Sequence, residues 1–258
     1  MSLASNAIAR FARLDDGQII RAAFFGMLVA TAAILFVDYR ELTAFDSTGL
    51  APANQPILPA FDPNSPDAPA GPAVLTAPEL LQQPLAVQLV AGGVLQLTGT
   101  IDPGAAARVQ AEIDAHGEYI RTVALDSPGG SVADALEIGT LIRGKGYATS
   151  VAAGSFCASS CPLVFMGGKE RLATAESAIG VHQIYAATQP GSLAERLAAA
   201  GNAMSNAQKL TAAITRYVAD MGVESEVWLH ALETPPEKLY YFSADELVAL
   251  KLATKLTK

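Results

Sequence analysis

The chain of 258 residues is long enough for one large domain or two small ones, and 51% apolar against 16% charged residues allow a sizeable core. A net charge of −8 argues against a nucleic-acid-binding protein, because phosphate binding needs clustered lysines and arginines. The sequence has no phosphate-binding glycine loop and no Cys/His spacing typical of zinc, so we expect no bound metal.

The first predicted element is an apolar run over residues 19–37, which follows a short polar lead over residues 1–18. Only Arg21 interrupts the run, and a helix of this length spans roughly 28 Å, close to the ~30 Å hydrocarbon core of a membrane. Three arginines lie before or near its start and one lies close behind it. The positive-inside rule therefore predicts a single-pass anchor in the inner (cytoplasmic) membrane, a cytoplasmic N-terminus, and a periplasmic or otherwise extracytoplasmic C-terminal domain.

A cleaved signal peptide is the alternative interpretation of this run. The run is longer than the ~7–15 apolar residues usual in signal peptides, and no small-x-small cleavage site follows it. These two features favour an uncleaved anchor.

A proline-rich stretch separates the anchor from the folded part of the chain. Residues 51–84 contain nine of the fifteen prolines, a composition typical of a semi-rigid spacer that packs no core. We expect residues 38–84 to be a linker and residues 85–258 to be the folded domain. Within that domain, Asp102-Pro103 predicts the N-cap and first position of a helix that stops at Gly117.

The next elements predict a strand, a glycine turn, a helix and a second strand. Residues 120–125 alternate apolar side chains, and residues 127–130 (Ser-Pro-Gly-Gly) follow as a turn whose backbone N–H groups can approach a ligand. A helix capped by Ser131 then leads to a strand over residues 147–153. Such a connection implies parallel strands, and ligands bind outside the carboxyl ends of parallel strands.

A second turn at the same sheet edge, residues 154–161, carries two serines and precedes an apolar helix. A serine in such a turn presents its hydroxyl, and the N–H of the next residue lies at the positive end of the helix. That N–H and the N–H of Gly129 would supply two donors to an oxyanion. His182 is the candidate base for the serine proton, whereas Trp228 and His230 are interpreted as packing residues.

At these motifs the sequence resembles the proteolytic subunit of Clp protease, within the wider Clp-protease/crotonase-like superfamily. The family's serine sits in an Ala-Ser turn before an apolar helix, which matches Ser159. Its base lies in an Ile-His-Gln-Pro segment, which matches His182, and its oxyanion glycine lies in Ser-Pro-Gly-Gly, which matches Gly129. The resemblance is clearest over residues 94–187 and returns over residues 241–257.

The resemblance implies an α/β domain with a parallel sheet of the Clp-protease/crotonase-like kind (a ββα superhelix) and a serine peptidase without metal or organic cofactor. Ser159 would attack the carbonyl of a peptide or protein substrate, His182 would accept and return the proton, and Gly129 and Ser160 N–H groups would hold the oxyanion. It also implies a homo-oligomer. An exported domain would lack the ATP-driven unfoldase of the family's cytoplasmic members, so we expect no ATPase partner.

Two positions depart from the family pattern. Ser160 stands where the family usually has methionine, which makes it a rival to Ser159 as nucleophile. The family's acid partner corresponds to Leu239, so Glu237 is the predicted third catalytic residue and Glu233 is another nearby carboxylate. A histidine without an orienting acid is a weaker base with a less fixed tautomer.

The two cysteines of the chain, Cys157 and Cys161, flank the serine pair. Outside the cytoplasm an even number of cysteines favours a disulfide, which here would close too short a loop to stabilise much but could fix the turn around Ser159. Two small buried thiols are the alternative. Two cysteines alone are too few for a metal site.

We consider three alternative functions for this sequence. The first is a membrane-anchored extracytoplasmic serine peptidase. The second is a catalytically inactive binding or scaffold protein with the same fold, which Leu239 favours. The third, an acyl-CoA enzyme of the crotonase branch, shares the two-donor oxyanion arrangement, but its substrate is cytoplasmic and the serine–histidine pair would be superfluous.

Overall fold

The computed structural model describes residues 16–43, 71–184 and 193–257, which belong to two compact units. The described part of the first unit is one helix, α1 (Asp16–Thr43). Its segment Ile20–Val37 is long and apolar enough to cross a membrane, and a signal sequence would meet the same criterion. Residues 1–15 of the predicted lead and residues 44–70 of the predicted linker lie outside the described residues.

The second unit is an α/β domain built on a six-stranded sheet in the order β1-β2-β3-β4-β6-β9. Its β1–β2 pair is antiparallel and its four other pairs are parallel. The predicted α/β class with a largely parallel sheet is therefore confirmed. The strands are β1 (Ala86–Val90), β2 (Val94–Thr98), β3 (Thr122–Asp126), β4 (Ala148–Val151), β6 (Arg171–Thr174) and β9 (Lys255–Thr257).

A smaller sheet begins inside the serine turn predicted over residues 154–161, whereas the glycine turn follows β3 of the six-stranded sheet. The strands of the smaller sheet are β5 (Phe156–Ala158), β7 (Ala178–Val181) and β8 (Tyr240–Tyr241), in the order β5-β7-β8. Strand β5 is parallel to β7, which is antiparallel to β8. A bridge between Ser127 and Cys157 joins the end of β3 to β5, so the turns that follow these two strands lie side by side.

The helices of the domain fill the crossovers between strands. They are α2 (Pro78–Leu81), α3 (Ala105–His116), α4 (Val132–Lys145), α5 (Cys161–Met166), α6 (Leu193–Asp220), α7 (Glu226–Glu233) and α8 (Ala244–Ala249). Helix α4 begins as predicted, because the Ser131 side chain accepts a hydrogen bond from the Asp134 N–H. Its apolar residues recur every three or four positions and face the core, so α4 covers the sheet as an amphipathic helix does.

The predicted N-cap of α3 is wrong. Gly104 occupies the N-cap in a left-handed conformation, with φ of 90°, and the Asp134 carboxylate accepts hydrogen bonds from the Gly104 and Ala106 N–H groups at this helix start. Asp102 instead accepts hydrogen bonds from the Leu85 N–H and the Arg108 guanidinium. A carboxylate within reach of a guanidinium makes a charge-assisted hydrogen bond, which competes with capping.

Helix α6 is fixed over α4 and α5 by a close contact at Gly139. A Cβ on Gly139 would lie 1.9 Å from the Tyr217 hydroxyl oxygen, so only glycine leaves room for that ring. The Tyr217 hydroxyl donates to the Leu163 carbonyl over 2.7 Å. This contact holds the C-terminal half of α6 against the helix that follows the serine turn.

Residues that precede position 85 also pack against the folded domain. Residues 71–77, here called the strap, run along the small sheet, and the Leu75 N–H donates to the Gly154 carbonyl over 2.8 Å. The Thr76 hydroxyl donates to the Asp126 carboxylate over 2.5 Å. Leu81 of α2 is 1% exposed and packs with Phe156 of β5, so the end of the predicted linker contributes to the core.

Candidate active site

The serine turn between β5 and α5 holds Ser159 in a conformation that few non-glycine residues adopt. Its φ is +61°, in the left-handed region, which costs an L-residue roughly 1–2 kcal/mol. The Ser159 N–H donates to the Gly180 carbonyl of β7 over 3.0 Å, and a Cys157–Cys161 disulfide closes the turn around it. Strained backbone of this kind persists where the surroundings impose it, and it clusters at functional sites.

The glycine turn after β3 contacts the serine turn directly. A Cβ on Gly129 would lie 2.7 Å from the Ser159 Cβ and 2.8 Å from the Ser160 nitrogen. The two predicted oxyanion donors, Gly129 and Ser160, therefore lie next to each other. The Gly129 N–H here donates to the Ser127 hydroxyl oxygen over 3.1 Å, so it would have to change acceptor to bind an oxyanion.

Replacing Gly129 with alanine is expected to lower the rate at which a fluorophosphonate labels the protein by roughly 100-fold, because the new methyl group would displace the serine turn. Gly104→Ala is the matched control: the two glycines have φ of +91° and +90°, but a Cβ on Gly104 meets nothing within 4 Å. Equal labelling of the two variants would show that Gly129 has no special relation to the nucleophile.

His182 follows β7, is 5% exposed, and lines the same small cavity as Ser159 and Ser160. The cavity has a volume of about 20 Å³, enough for about one water molecule. Among the residues that the structure describes, neither imidazole nitrogen and neither serine hydroxyl has a hydrogen-bond partner. The catalytic hydrogen bonds of an unliganded enzyme are often long and tighten only with substrate, so this geometry is compatible with a serine–histidine pair.

Every buried side-chain polar atom without a partner in the described part of the chain belongs to a residue that lines this cavity. These atoms are Ser159 Oγ, Ser160 Oγ, both ring nitrogens of His182, and Trp228 Nε1. An unsatisfied buried group costs about 1–3 kcal/mol, so several around one space point to a polar molecule that binds there. The remaining lining is apolar: Pro162, Leu163, Met166, Val181, Ile184, Val218, Val227 and Ala231.

Burial lowers the pKa of His182 below its ordinary value. No charged residue lines the cavity in the described ranges, so no carboxylate there counteracts the effect of burial on the pKa of His182. The imidazole is therefore neutral near pH 7, which is the form that a general base needs.

The predicted catalytic acid, Glu237, is not among the residues that line the cavity. Glu237 and Glu233 are both exposed, and neither lines the cavity. Leu239, at the position of the family's acid, is 5% exposed and packs with Phe156 and Ala158 in a small apolar cluster. The catalytic role of Glu237 remains a prediction from sequence.

Two residues of this region were not singled out as part of the site from sequence. Trp228 was interpreted as a packing residue, yet its indole nitrogen is among the unpartnered atoms at the cavity. Asp126 is buried, which raises the pKa of its carboxyl, and it accepts a hydrogen bond from the Phe156 N–H over 2.9 Å. In the sequence, the one indication that Asp126 belongs to this region is its position directly before the glycine turn.

No protein-family model matches this sequence, and no curated protein matches it either. Among solved structures, the chain is similar to one described as a point mutant of ClpP1 from Listeria monocytogenes. The two share 14% sequence identity with a TM-score of 0.48, and the match covers 64% of this chain and 91% of that one.

Proposed function

We propose that this chain is a serine peptidase, anchored in the inner membrane by residues 19–37, that hydrolyses peptide bonds on the extracytoplasmic side. One observation carries the proposal: Ser159, Ser160, His182 and Trp228, which have buried polar atoms without partners in the described residues, all line one cavity. The left-handed conformation of Ser159 and the contact of its turn with Gly129 support it.

In the proposed reaction, Ser159 Oγ attacks the carbonyl carbon of the scissile peptide while His182 takes the hydroxyl proton. The N–H groups of Gly129 and Ser160 donate to the oxyanion of the tetrahedral intermediate. His182 then gives its proton to the leaving amine, and an acyl-enzyme remains on Ser159. A water molecule, deprotonated by His182, attacks the acyl carbon, and the proton returns to Ser159 when the acid product leaves.

Substrate binding requires movement of the residues around the site. Ser159 Oγ is shielded from solvent, and the cavity beside it is too small for a peptide. The Gly129 N–H must also leave the Ser127 hydroxyl. The structure therefore corresponds to a closed state of the proposed enzyme.

Labelling of the full-length chain by a fluorophosphonate in detergent micelles tests this function. We expect stoichiometric labelling of the wild type, loss of labelling in Ser159→Ala, and retained labelling in Ser160→Ala. The reverse pattern would make Ser160 the nucleophile. Absence of labelling in the wild type, in a protein shown to be folded, would contradict the peptidase proposal.

The second candidate function is a catalytically inactive binding or scaffold protein of the cell envelope. The specific observation in its favour is that Leu239 is buried in an apolar cluster at the expected acid position. No carboxylate lines the cavity in the described ranges. The labelling experiment separates the two functions, because a scaffold without a working base would not react.

The proposed membrane anchor can be tested by a separate experiment. Leu28 lies near the middle of the apolar segment Ile20–Val37, where an arginine costs about 2.5–3.5 kcal/mol of insertion free energy. We expect wild-type protein of full-length mass to stay with membranes after alkaline carbonate extraction, and Leu28→Arg to be released. Leu80→Arg, at an exposed position of the second unit, is the control that should remain bound. A wild-type protein shortened at its N-terminus would show a cleaved signal peptide instead.

The assembly and partners of the proposed peptidase are predictions from the resemblance. We propose a homo-oligomer that acts on peptides or protein segments without an ATPase partner. Cross-linking of the full-length chain in membranes would test the oligomer, and a monomer at all protein concentrations would contradict it.

A further inference from the structure

Asp126, the last residue of β3, has a buried carboxylate that joins three segments of the domain. The residue is 8% exposed and directly precedes the glycine turn. One carboxylate oxygen accepts a hydrogen bond from the Phe156 N–H at the start of β5 over 2.9 Å. The other accepts one from the Thr76 hydroxyl of the strap over 2.5 Å. The carboxylate therefore contacts both the strap and the strand that leads to Ser159.

Backbone hydrogen bonds at the next residue fix the register between the two turns. The Ser127 N–H donates to the Phe156 carbonyl over 2.6 Å, and the Ala158 N–H donates to the Ser127 carbonyl over 3.1 Å. Phe156 is thus bound through its carbonyl to Ser127 and through its N–H to the Asp126 side chain. The proposed nucleophile follows Ala158 directly and the glycine turn continues from Ser127, so these bonds set how the two turns face each other.

The Asp126 carboxylate is held by neutral partners. Among the described residues no lysine or arginine forms an ion pair with it, and its donors are one N–H and one hydroxyl. Burial raises its pKa, as expected where no cation compensates for the lost solvation. A buried carboxylate of this kind is costly to the fold, yet an apolar residue in its place would leave the Phe156 N–H without an acceptor.

We propose that Asp126 is a positioning residue of the active site: its carboxylate holds β5 against the end of β3, and the Thr76 hydroxyl completes the hydrogen bonding of that carboxylate. The proposal rests on the proposed peptidase function for its catalytic meaning. Neither Asp126 nor Thr76 lines the cavity, so their effect reaches Ser159 through the backbone of β5. The strap thereby becomes part of the structure that orients the nucleophile.

NMR of a single backbone amide tests the contact directly. Phe156 is the one phenylalanine of the chain that follows a serine. Full-length protein in detergent, made with ¹³C-carbonyl serine and ¹⁵N-phenylalanine, therefore gives one carbonyl-filtered signal, the Phe156 amide. In Asp126→Leu we expect this proton to shift upfield and to exchange with solvent deuterium roughly 10-fold faster, because its charged acceptor is lost. Asp126→Asn keeps an acceptor oxygen and should retain slow exchange.

Thr76 allows a milder change that leaves β3 itself intact. Thr76→Val removes the hydroxyl at nearly constant size, so we expect the Phe156 signal to move and its exchange to accelerate, because the carboxylate is less firmly held. Thr76→Ser keeps the hydroxyl and should match the wild type. Thr257→Val is the matched control, since the Thr257 hydroxyl donates to the Ala173 carbonyl at the β9 edge of the six-stranded sheet.

Fluorophosphonate kinetics provide the second readout. With unchanged probe affinity, we expect the maximal labelling rate to fall roughly 100-fold in Asp126→Leu and roughly 10-fold in Thr76→Val. Asp126→Asn, Thr76→Ser and Thr257→Val should keep the wild-type rate. An unmoved Phe156 signal in Thr76→Val would overturn the inference even if Asp126→Leu does not fold, as would a wild-type labelling rate in Thr76→Val. The NMR result needs no enzymatic activity, so the contact and the peptidase function can fail separately.

Discussion

Replacement of His182 by alanine is expected to lower the fluorophosphonate labelling rate by roughly 1,000-fold, since a positioned general base contributes about 10²–10⁴-fold to such reactions. Because burial lowers the pKa of His182, the wild-type rate should fall with decreasing pH only below the ordinary histidine value of about 6.5. The measurement is the second-order labelling rate between pH 4 and pH 9.

His116→Ala is the control for this experiment. His116 is exposed at the end of α3, and its Nδ1 lies 2.9 Å from a Glu112 carboxylate oxygen, away from the cavity. Its removal should leave both rate and pH profile unchanged. Labelling of His182→Ala at the wild-type rate would mean that the imidazole does not take the serine proton.

The lowered pKa also predicts how folding stability depends on pH. The unfolded histidine binds a proton more readily than the buried one, so stability is complete above about pH 6.5. It declines as the pH falls from there through the lower pKa of the folded state. His182→Ala should remove this part of the acid destabilisation.

Removal of the disulfide by Cys157→Ala with Cys161→Ala is the second large effect that we expect. The cross-link closes a loop with a sequence separation of 4, for which chain entropy predicts a loss of about 2 kcal/mol of unfolding free energy. The labelling rate should fall by roughly 100-fold, because Ser159 is then free to leave its left-handed conformation.

A variant of similar instability separates these two consequences. Ile113→Ala truncates a core residue of α3 that is 1% exposed and does not line the cavity, and such changes cost about 2–5 kcal/mol. It should lose stability in chemical denaturation yet keep the wild-type labelling rate. Wild-type labelling in the double cysteine variant would show that the serine turn holds its shape without the cross-link.

Local sequence signals predicted the two parallel strands on either side of α4. The strand–turn–helix pattern around Gly129 predicted parallel strands, and β3 and β4 are parallel. Ser159 and His182 were singled out because a serine in a strand-to-helix turn needs a base, and because both residues match motifs of the Clp protease family that the sequence resembles. The structure brings Ser159, Ser160 and His182 to one cavity.

What the sequence did not predict depends on contacts between distant segments. Trp228 reaches the cavity only because α7 packs over β7, a relation that helical periodicity does not contain. Asp102 looked like an N-cap, but the position of Arg108 on the folded helix decides what the carboxylate binds.

The strap described above has a practical consequence for biochemistry on this protein. A secreted fragment cut at residue 85 would lose Leu81, the Leu75 bond to Gly154 and the Thr76 bond to Asp126. Each of these supports the frame of β3 and β5 on which the nucleophile turn is built. Such a fragment is expected to lose the support of the turn that carries Ser159, so a shortened protein should begin upstream of residue 71.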